Sequence, residues 1–388
     1  MTVKKPRVEV VDSLRGLAIF AIMLLHCIEH FNFYVFPDNA TQPDWLNTLD
    51  TNVWDGLFFM FAGKGYAIFS LLFGFTFSLM MTKQRSLGKD FGYRFLWRLL
   101  LLVGFALING AFFPGEVLLM YALVGLVLFF VRNLKLQALL VVGAILLSQP
   151  VEWFNYVYHL INPDYTINVI PSHTYWSKLK EAQLGDSFWE TVKTNTLYGH
   201  KVALIWAVEV GRLVQTAGLF IVGYILGNTK RFYDTPENIK FWTKTLIISA
   251  IVFIPFYFLA LNAKELFPSE AERLTLKRVV EMYRNLAFTF VLVSSFILLY
   301  KKTWFSKLVG GLKYPGRMSL TAYVMQSIVG GFIFYGYGLG IGPHVKHTVS
   351  LGIGIVLYAL QFYFCKWWIT KYGQGPLEKL WHKLTWIK

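Results

Sequence analysis

The sequence has few charged residues. Only 15% of its 388 residues are Asp, Glu, Lys or Arg, whereas 55% are hydrophobic. A soluble domain carries about 25% charged residues, so this chain lacks the polar side chains that a water-facing surface of its size requires. Its mean hydropathy of +0.48 agrees. The composition argues strongly against a soluble globular enzyme and predicts an integral membrane protein.

Cysteines and ligand-binding motifs are equally scarce. The two cysteines, Cys27 and Cys365, both lie in apolar stretches and are typical of small buried side chains rather than of a disulfide or a metal site. The chain contains no CxxC pair, P-loop or GxGxxG motif. We therefore expect neither a bound metal nor a nucleic-acid partner, although the formal charge is +15.

Long apolar segments are what the sequence does contain. Roughly 17–25 mainly apolar residues cross the hydrocarbon core of a bilayer as a helix. They predict an all-α, polytopic membrane protein with about ten spans in a single domain, 1–388, in which the outer loop 159–201 is an insertion. The predicted spans are 14–36, 57–81, 95–113, 116–131, 136–158, 202–226, 241–262, 279–300, 318–339 and 347–370.

The positive charges fall mainly in every second loop. The first loop has no Lys or Arg and four Asp residues, whereas the second is strongly basic. By the positive-inside rule, this alternation places both termini in the cytoplasm. The basic inner segments contain Lys4, Lys5 and Arg7; Lys83, Arg85, Lys89, Arg94 and Arg98; Arg132 and Lys135; Lys230, Arg231, Lys240 and Lys244; Lys301, Lys302, Lys307, Lys313 and Arg317; and Lys379, Lys383 and Lys388.

Ionisable residues inside a span are candidates for function because each costs a few kcal/mol to bury. The first span carries His26, Glu29 and His30. Arg15 and His26 are eleven residues apart, which places them about 20° apart on one helix face and roughly 16 Å apart along it. We expect Asp12 to pair with Arg15 near the cytoplasmic surface. Imidazole is suited to proton transfer near neutral pH, which favours a catalytic or relay role for His26 over a structural one.

Two ion pairs are predicted between or within spans. Lys64 lies roughly 10 Å deep in the second span, at a depth similar to that of Glu29 in the first. These two side chains could form an ion pair, and a purely structural role for that pair is equally compatible with the sequence. Glu209 and Arg212 have i,i+3 spacing, which is typical of a pair within one helix.

Several segments resemble known membrane proteins. Val11–Ala18, with Arg15 followed after ten residues by His26, resembles the Arg-x10-His signature of the acyltransferase-three family within the transmembrane acyltransferase superfamily. Most of the chain resembles the YeiB-like bacterial membrane proteins, relatives of heparan-alpha-glucosaminide N-acetyltransferase. That resemblance is carried by Ile68–Phe75, Leu119–Gly125, Gly316–Tyr323 and Gly375–Trp381. It implies a protein of the bacterial plasma (inner) membrane.

The resemblance implies acyl transfer from acetyl-CoA or another acyl-CoA to a cell-envelope saccharide or similar acceptor. His26 would act as base or acyl carrier, Glu29 or Asp55 would orient its ring, and Lys64 would stabilise the oxyanion. The phosphates of the donor would be bound by basic residues on the cytoplasmic side, which are Arg15, Lys83, Arg85, Arg94, Arg98 and Arg317. Small residues such as Gly63, Gly65, Gly74 and Gly104 could leave room for the pantetheine arm.

Two other readings are open. A proton-coupled transporter or exporter could use His26, Glu29 and Lys64 as a proton relay. Against it, the sequence has no repeat halves and no pair of Gly/Pro-broken spans in matching positions. A scaffold without catalytic activity would explain the spans but not the buried charges. Lipid is an expected partner, and a homodimer is compatible with the sequence.

Overall fold

The computed structural model describes residues 8–165 and 172–387, and within them it contains helices but no β-strand. The first half comprises α1 (Glu9–Leu25), α2 (Asp44–Phe61), α3 (Gly65–Arg85), α4 (Gly92–Phe112), α5 (Leu118–Val124), α6 (Leu126–Val131), α7 (Leu136–Leu147), α8 (Pro150–Ile161), α9 (His173–Leu184), α10 (Phe188–Thr194) and α11 (His200–Glu209). The second comprises α12 (Arg212–Asn228), α13 (Pro236–Leu261), α14 (Ala263–Leu266), α15 (Glu270–Leu274), α16 (Leu276–Tyr300), α17 (Thr303–Val309), α18 (Lys313–Arg317), α19 (Ser319–Phe334), α20 (His347–Tyr372) and α21 (Pro376–Thr385).

The predicted class, an all-helical polytopic membrane protein, is confirmed. In the described chain, six helical stretches are long and apolar enough to cross a membrane, or up to eight if each of two bent helix pairs is one span. The fourth and ninth predicted spans correspond to shorter apolar helices, Leu118–Val131 and Ser319–Phe334. The number ten and the cytoplasmic location of both termini stay predictions. Lys4, Lys5, Arg7 and Lys388 lie outside the described residues.

The helix is interrupted within three predicted spans, and two of the interruptions are sharp bends. The second is divided into α2 and α3 at Gly63, whose φ of +77° is accessible to glycine without strain. The fifth bends by 53° between α7 and α8, where Gln149 takes a left-handed conformation ahead of Pro150. The sixth bends by 79° between α11 and α12 at Gly211, with φ +69°.

Glycines bring the central helices into backbone contact. A Cβ on Gly74 of α3 would lie 1.9 Å from the carbonyl oxygen of Phe220 in α12, and one on Gly223 would lie 1.9 Å from that of Leu71. Such close approach is typical of small residues at membrane helix interfaces. The suggestion that Gly74 leaves room for a pantetheine arm is therefore wrong, because α12 fills that space.

The segment predicted as an insertion, 159–201, is largely helical in its described part and packs against the membrane helices. The backbone N–H of Gly336 donates to the carbonyl of Gln183 at 2.8 Å. Asn195 Nδ2 donates to the carbonyl of Ala111 at 3.1 Å. These bonds hold α9 and α10 over one end of the helical bundle.

Candidate functional site

Two cavities extend into the bundle from opposite ends. The first, which we name the Arg15 cavity, has a volume of about 440 Å³ and lies at the end where α1 begins. Its lining is mainly aromatic and aliphatic, with a set of basic side chains contributed by five separate helices. These are Arg15, Lys83, Arg98, Arg317 and His382.

Arg15 is held in place by its own helix and by two neighbouring helices. Its guanidinium donates to Asp12 Oδ1 at 3.1 Å and to Thr76 Oγ1 at 3.1 Å, and it lies 3.4 Å from the carbonyl oxygen of Gly316. The predicted Asp12–Arg15 pair is confirmed. These bonds fix a positive charge where α1, α3 and α18 meet, at the wall of the Arg15 cavity.

Arg98 joins the same cavity through the C-terminal helix. Its guanidinium carbon lies 3.6 Å from the centre of the Trp381 ring, and its Nη1 donates to Thr385 Oγ1 at 3.2 Å. Four of the six predicted donor-binding residues therefore line one cavity: Arg15, Lys83, Arg98 and Arg317.

The structure does not bring the other two predicted donor-binding residues to this cavity. Arg85 donates to the carbonyl of Arg132 at 2.7 Å and to Asn133 Oδ1 at 3.0 Å. Arg94 donates to the carbonyls of Thr385 and Ile387, at 3.2 and 2.9 Å. Both guanidiniums thus bind polypeptide instead of lining the cavity, because they lie on other faces of α3 and α4. Position along the sequence does not show which side of the bundle such a face meets.

The C-terminal helix α21 closes one side of the Arg15 cavity. Glu378 Oε1 accepts hydrogen bonds from the backbone N–H groups of Leu320 and Thr321, at 2.7 and 3.1 Å, and Oε2 accepts one from the Thr321 hydroxyl at 2.6 Å. The carboxyl group therefore caps the start of α19. Burial raises the pKa of Glu378 above its usual range.

The second cavity, the His26 cavity, has a volume of about 450 Å³. At the end of α1 the chain forms a π-helical turn, His26–His30, in which the Phe31 N–H donates to the His26 carbonyl at 2.9 Å. This widened turn, a feature that often occurs at functional sites, places His26, Glu29 and His30 together on the cavity wall.

The His26 ring is enclosed mainly by aromatic side chains. Its centre lies 4.6 Å from that of Phe113, 5.2 Å from that of His30 and 6.2 Å from that of Tyr323. Its buried Nδ1 has no hydrogen-bond partner in the described residues. No hydrogen bond to Nδ1 in the described protein therefore fixes the tautomer of the ring.

Glu29 is bound by its own turn. His30 Nδ1 lies 3.3 Å from Oε2, and the Tyr34 hydroxyl donates to Oε1. The predicted Lys64–Glu29 ion pair is not formed in the described chain; Lys64 is buried with its Nζ 3.5 Å from the carbonyl oxygen of Phe58. Asp55 is exposed on α2 and does not line the cavity. Similar depth in the membrane did not bring these residues together, because depth does not determine the direction in which a side chain points.

Two charged residues of the His26 cavity were not assigned there from the sequence. Glu116 is buried, and its carboxylate accepts from the N–H groups of Leu118 and Leu119 at 2.6 and 3.0 Å. The Arg212 guanidinium carbon lies 4.2 Å from the Trp206 ring centre and 4.6 Å from that of Tyr66. The predicted Glu209–Arg212 pair is wrong: the chain bends between them, and Glu209 accepts instead from the N–H of Ser172 at 3.0 Å.

A thin partition separates the two cavities. Ile22, Tyr66, Val117 and Tyr323 line both of them. Tyr66 is held by a hydrogen bond from its hydroxyl to Gln215, and the Tyr121 hydroxyl donates to the Tyr66 carbonyl at 2.8 Å. The cavities therefore approach each other beside His26, with side chains rather than a complete helix between them.

The described part of the chain contains no group of three or more His, Cys, Asp or Glu side chains that could hold a metal ion. Both cysteines are buried and form no disulfide in the described structure.

The comparisons with known proteins identify relatives without a known activity. Residues 226–388 match the family model "Protein of unknown function (DUF418)". Over its full length the chain is 26% identical to "Uncharacterized protein YxaH" of Bacillus subtilis, covering 96% of that protein. It is 24% identical to "Uncharacterized protein YeiB" of Escherichia coli, over 96% of this chain and 95% of that protein. No solved structure matches. The predicted similarity to YeiB-like proteins is confirmed, and the link to acyltransferases stays a prediction.

Proposed function

We propose that this chain, which is similar to the YeiB-like proteins over its whole length, is a membrane-bound acyltransferase. It would take an acyl group from acetyl-CoA or another acyl-CoA and transfer it to a hydroxyl or amine of a cell-envelope acceptor. The observation that supports this most directly is the pair of cavities that approach each other beside His26. Such an arrangement allows a donor and an acceptor to enter from opposite sides of a membrane.

The Arg15 cavity is the proposed donor site. We place the protein in the plasma membrane. Under the predicted topology the Arg15 cavity then opens to the cytoplasm, where acyl-CoA is made. Its basic side chains suit the phosphates of the donor, since guanidinium groups bind phosphate in two-point geometry. The apolar part of the lining, including Phe69, Phe73 and Leu102, would enclose the pantetheine arm as it extends toward the partition.

His26 is the proposed base. Its ring would remove the proton from the acceptor hydroxyl or amine as that atom forms a bond to the thioester carbonyl carbon. Collapse of the tetrahedral intermediate breaks the C–S bond, and the departing CoA thiolate takes up the proton from the imidazolium. Tyr323, which lines both cavities, offers a hydroxyl to the developing oxyanion.

The same residues could act in two steps. In that case His26 would first take the acyl group itself, releasing CoA, and then pass it to the acceptor. The adjacent Glu29–His30 pair would then supply the base for the second step. Neither route uses Lys64, which lies outside the lining of the His26 cavity.

Ligand stabilisation tests the donor site without knowledge of the acceptor. Acetyl-CoA is expected to raise the melting temperature of the purified protein in neutral detergent, and ADP at the same concentration is not. An equal rise in melting temperature with both compounds would show that the protein binds such anions without preference for acyl-CoA, and would contradict the proposal.

The second candidate function, a proton-coupled transporter, is favoured by one observation. The breaks in two bent helix pairs lie against each other: a Cβ on Gly211 would be 2.7 Å from Glu152 Oε1 and 3.2 Å from Gln149 Oε1. Broken helices with buried polar groups are common at transport sites. Two predicted spans are thus interrupted, one at Gly211 and one ahead of Pro150. Proton-driven uptake by vesicles without acyl-CoA would favour this candidate.

A further inference from the structure

Arg212 has no anionic partner among the residues that the structure describes. It is half-buried at the start of α12, lines the His26 cavity, and forms no ion pair or hydrogen bond in the described residues. Residues 1–7, 166–171 and 388, which lie outside the described chain, contain no Asp or Glu side chain. No acidic side chain outside the described residues is therefore available to pair with Arg212.

The two carboxylates of the same cavity are already bound. Glu29 accepts from Tyr34 and contacts His30, and Glu116 accepts from the backbone at the start of α5. The remaining charges nearby are positive. Lys180 lines the mouth without an ion pair in the part of the chain that is described, and the charge of Lys64 lies close enough to repel that of Arg212. The lining thus holds two carboxylates that are already bound and two cations, Lys180 and Arg212, that form no ion pair in the described residues.

The orientation of Arg212 suits a ligand. Its guanidinium carbon lies 4.2 and 4.6 Å from the ring centres of Trp206 and Tyr66, and since its N–H groups form no hydrogen bond in the described residues, its N–H edge is available to a ligand. Tyr66 belongs to the partition beside His26. An anion bound to that edge would therefore be held at the inner end of the cavity, near the proposed base.

We infer that the His26 cavity takes an anionic acceptor, whose carboxylate or phosphate group is bound by Arg212 while another of its groups reaches His26. The role of the bound anion as an acyl acceptor rests on the proposed function, whereas the existence of the anion site does not. Such an anion could belong to a free sugar acid or sugar phosphate, or to the headgroup of an anionic lipid.

Binding of small probes tests the site without acyl-CoA. Calorimetric titration of the purified protein in neutral detergent is expected to detect glucuronate and glucose 6-phosphate but not glucose. Arg212→Gln should weaken binding of both anions more than about tenfold, because it removes a charged partner from a partly buried contact. Lys201→Gln is the matched control, since Lys201 is a cation of the neighbouring helix that stacks on Tyr198 and does not line the cavity.

A second variant separates binding from folding. Arg212→Lys keeps the charge but loses the two-point geometry, so it should fold with a melting temperature near that of the wild type and bind the anions with intermediate affinity. Unchanged anion affinity in both variants, or no binding of either probe to the wild type, overturns the inference.

The source of the anion is resolved by native mass spectrometry of protein from nanodiscs. Phosphatidylglycerol retained by the wild type and lost from Arg212→Gln identifies a lipid headgroup, whereas retention of the soluble probes alone identifies a free sugar. Either result supports the anion site. Anion binding in a protein that acetyl-CoA does not stabilise would leave this inference standing and remove the proposed function.

Discussion

At the scale of single residues, local spacing was more informative than depth. The Asp12–Arg15 pair follows from i,i+3 geometry within one helix, and the structure contains it at 3.1 Å. The Lys64–Glu29 pair was predicted from depth alone, which gives no information on the direction in which each side chain points. Arg212 was assigned to the wrong partner because Gly211 interrupts the helix on which that spacing depends.

Arg15 and Arg85 provide a matched pair for donor binding. Arg15→Gln is expected to weaken binding of acetyl-CoA about ten- to a hundredfold, the loss typical of one charged hydrogen-bonding group. Arg85→Gln should bind as the wild type does, because Arg85 binds the segment at Arg132 and Asn133 outside the cavity. Titration of both variants with acetyl-CoA makes the comparison. Equal losses in the two variants would show that only total positive charge matters.

His382 gives the donor site a pH dependence. Partial burial and the neighbouring charges of Arg98 and Lys83 lower the pKa of His382 below its usual range, so this side chain is neutral at pH 7.5. As pH falls through that lowered pKa, the imidazole gains a positive charge that attracts the donor phosphates. His382→Gln should therefore match the wild type at pH 7.5 and bind acetyl-CoA about two- to fourfold less tightly than the wild type once the pH is below the lowered pKa of His382. Identical affinities of the two proteins across an acid titration would exclude a role for His382.

At the scale of secondary-structure elements, hydropathy located the helices but not their breaks. All ten predicted spans fall on helical segments, since a long apolar run has few alternatives in a membrane. The breaks at Gly63, Gln149 and Gly211 were not predicted, because glycine and proline are also frequent in continuous membrane helices. Gly211 and Pro150 lie at two of these breaks, but each residue alone does not predict a break. Their role is visible only in the structure, where the two bends pack together.

The contact between α21 and α19 explains two segments that carried the family resemblance. Glu378, in Gly375–Trp381, caps the helix that begins within Gly316–Tyr323. Glu378→Ala should lower the free energy of unfolding by about 1–3 kcal/mol, because it leaves two backbone N–H groups and the Thr321 hydroxyl without an acceptor. Glu378→Gln should lose less, since the amide oxygen can still accept. Thermal unfolding in detergent measures both, and a wild-type melting temperature for Glu378→Ala would contradict the capping role.

At the scale of the whole molecule, composition and charge alternation were sufficient to predict an all-helical membrane protein. Four of six donor-site candidates and two of four catalytic candidates line a cavity, and in each set the remainder lie on other faces of the bundle. The sequence could not predict that two cavities meet. That arrangement depends on the partition formed by Ile22, Tyr66, Val117 and Tyr323, which come from four distant parts of the chain.

The central claim is that His26 performs acyl transfer between these cavities. Its most direct test follows radiolabelled acetyl groups from acetyl-CoA into envelope saccharides, with protein reconstituted in vesicles. His26→Ala should abolish transfer and retain both the melting temperature and the stabilisation by acetyl-CoA, whereas a control variant, His159→Ala, should transfer as the wild type does. Transfer at the wild-type rate by His26→Ala would contradict the account.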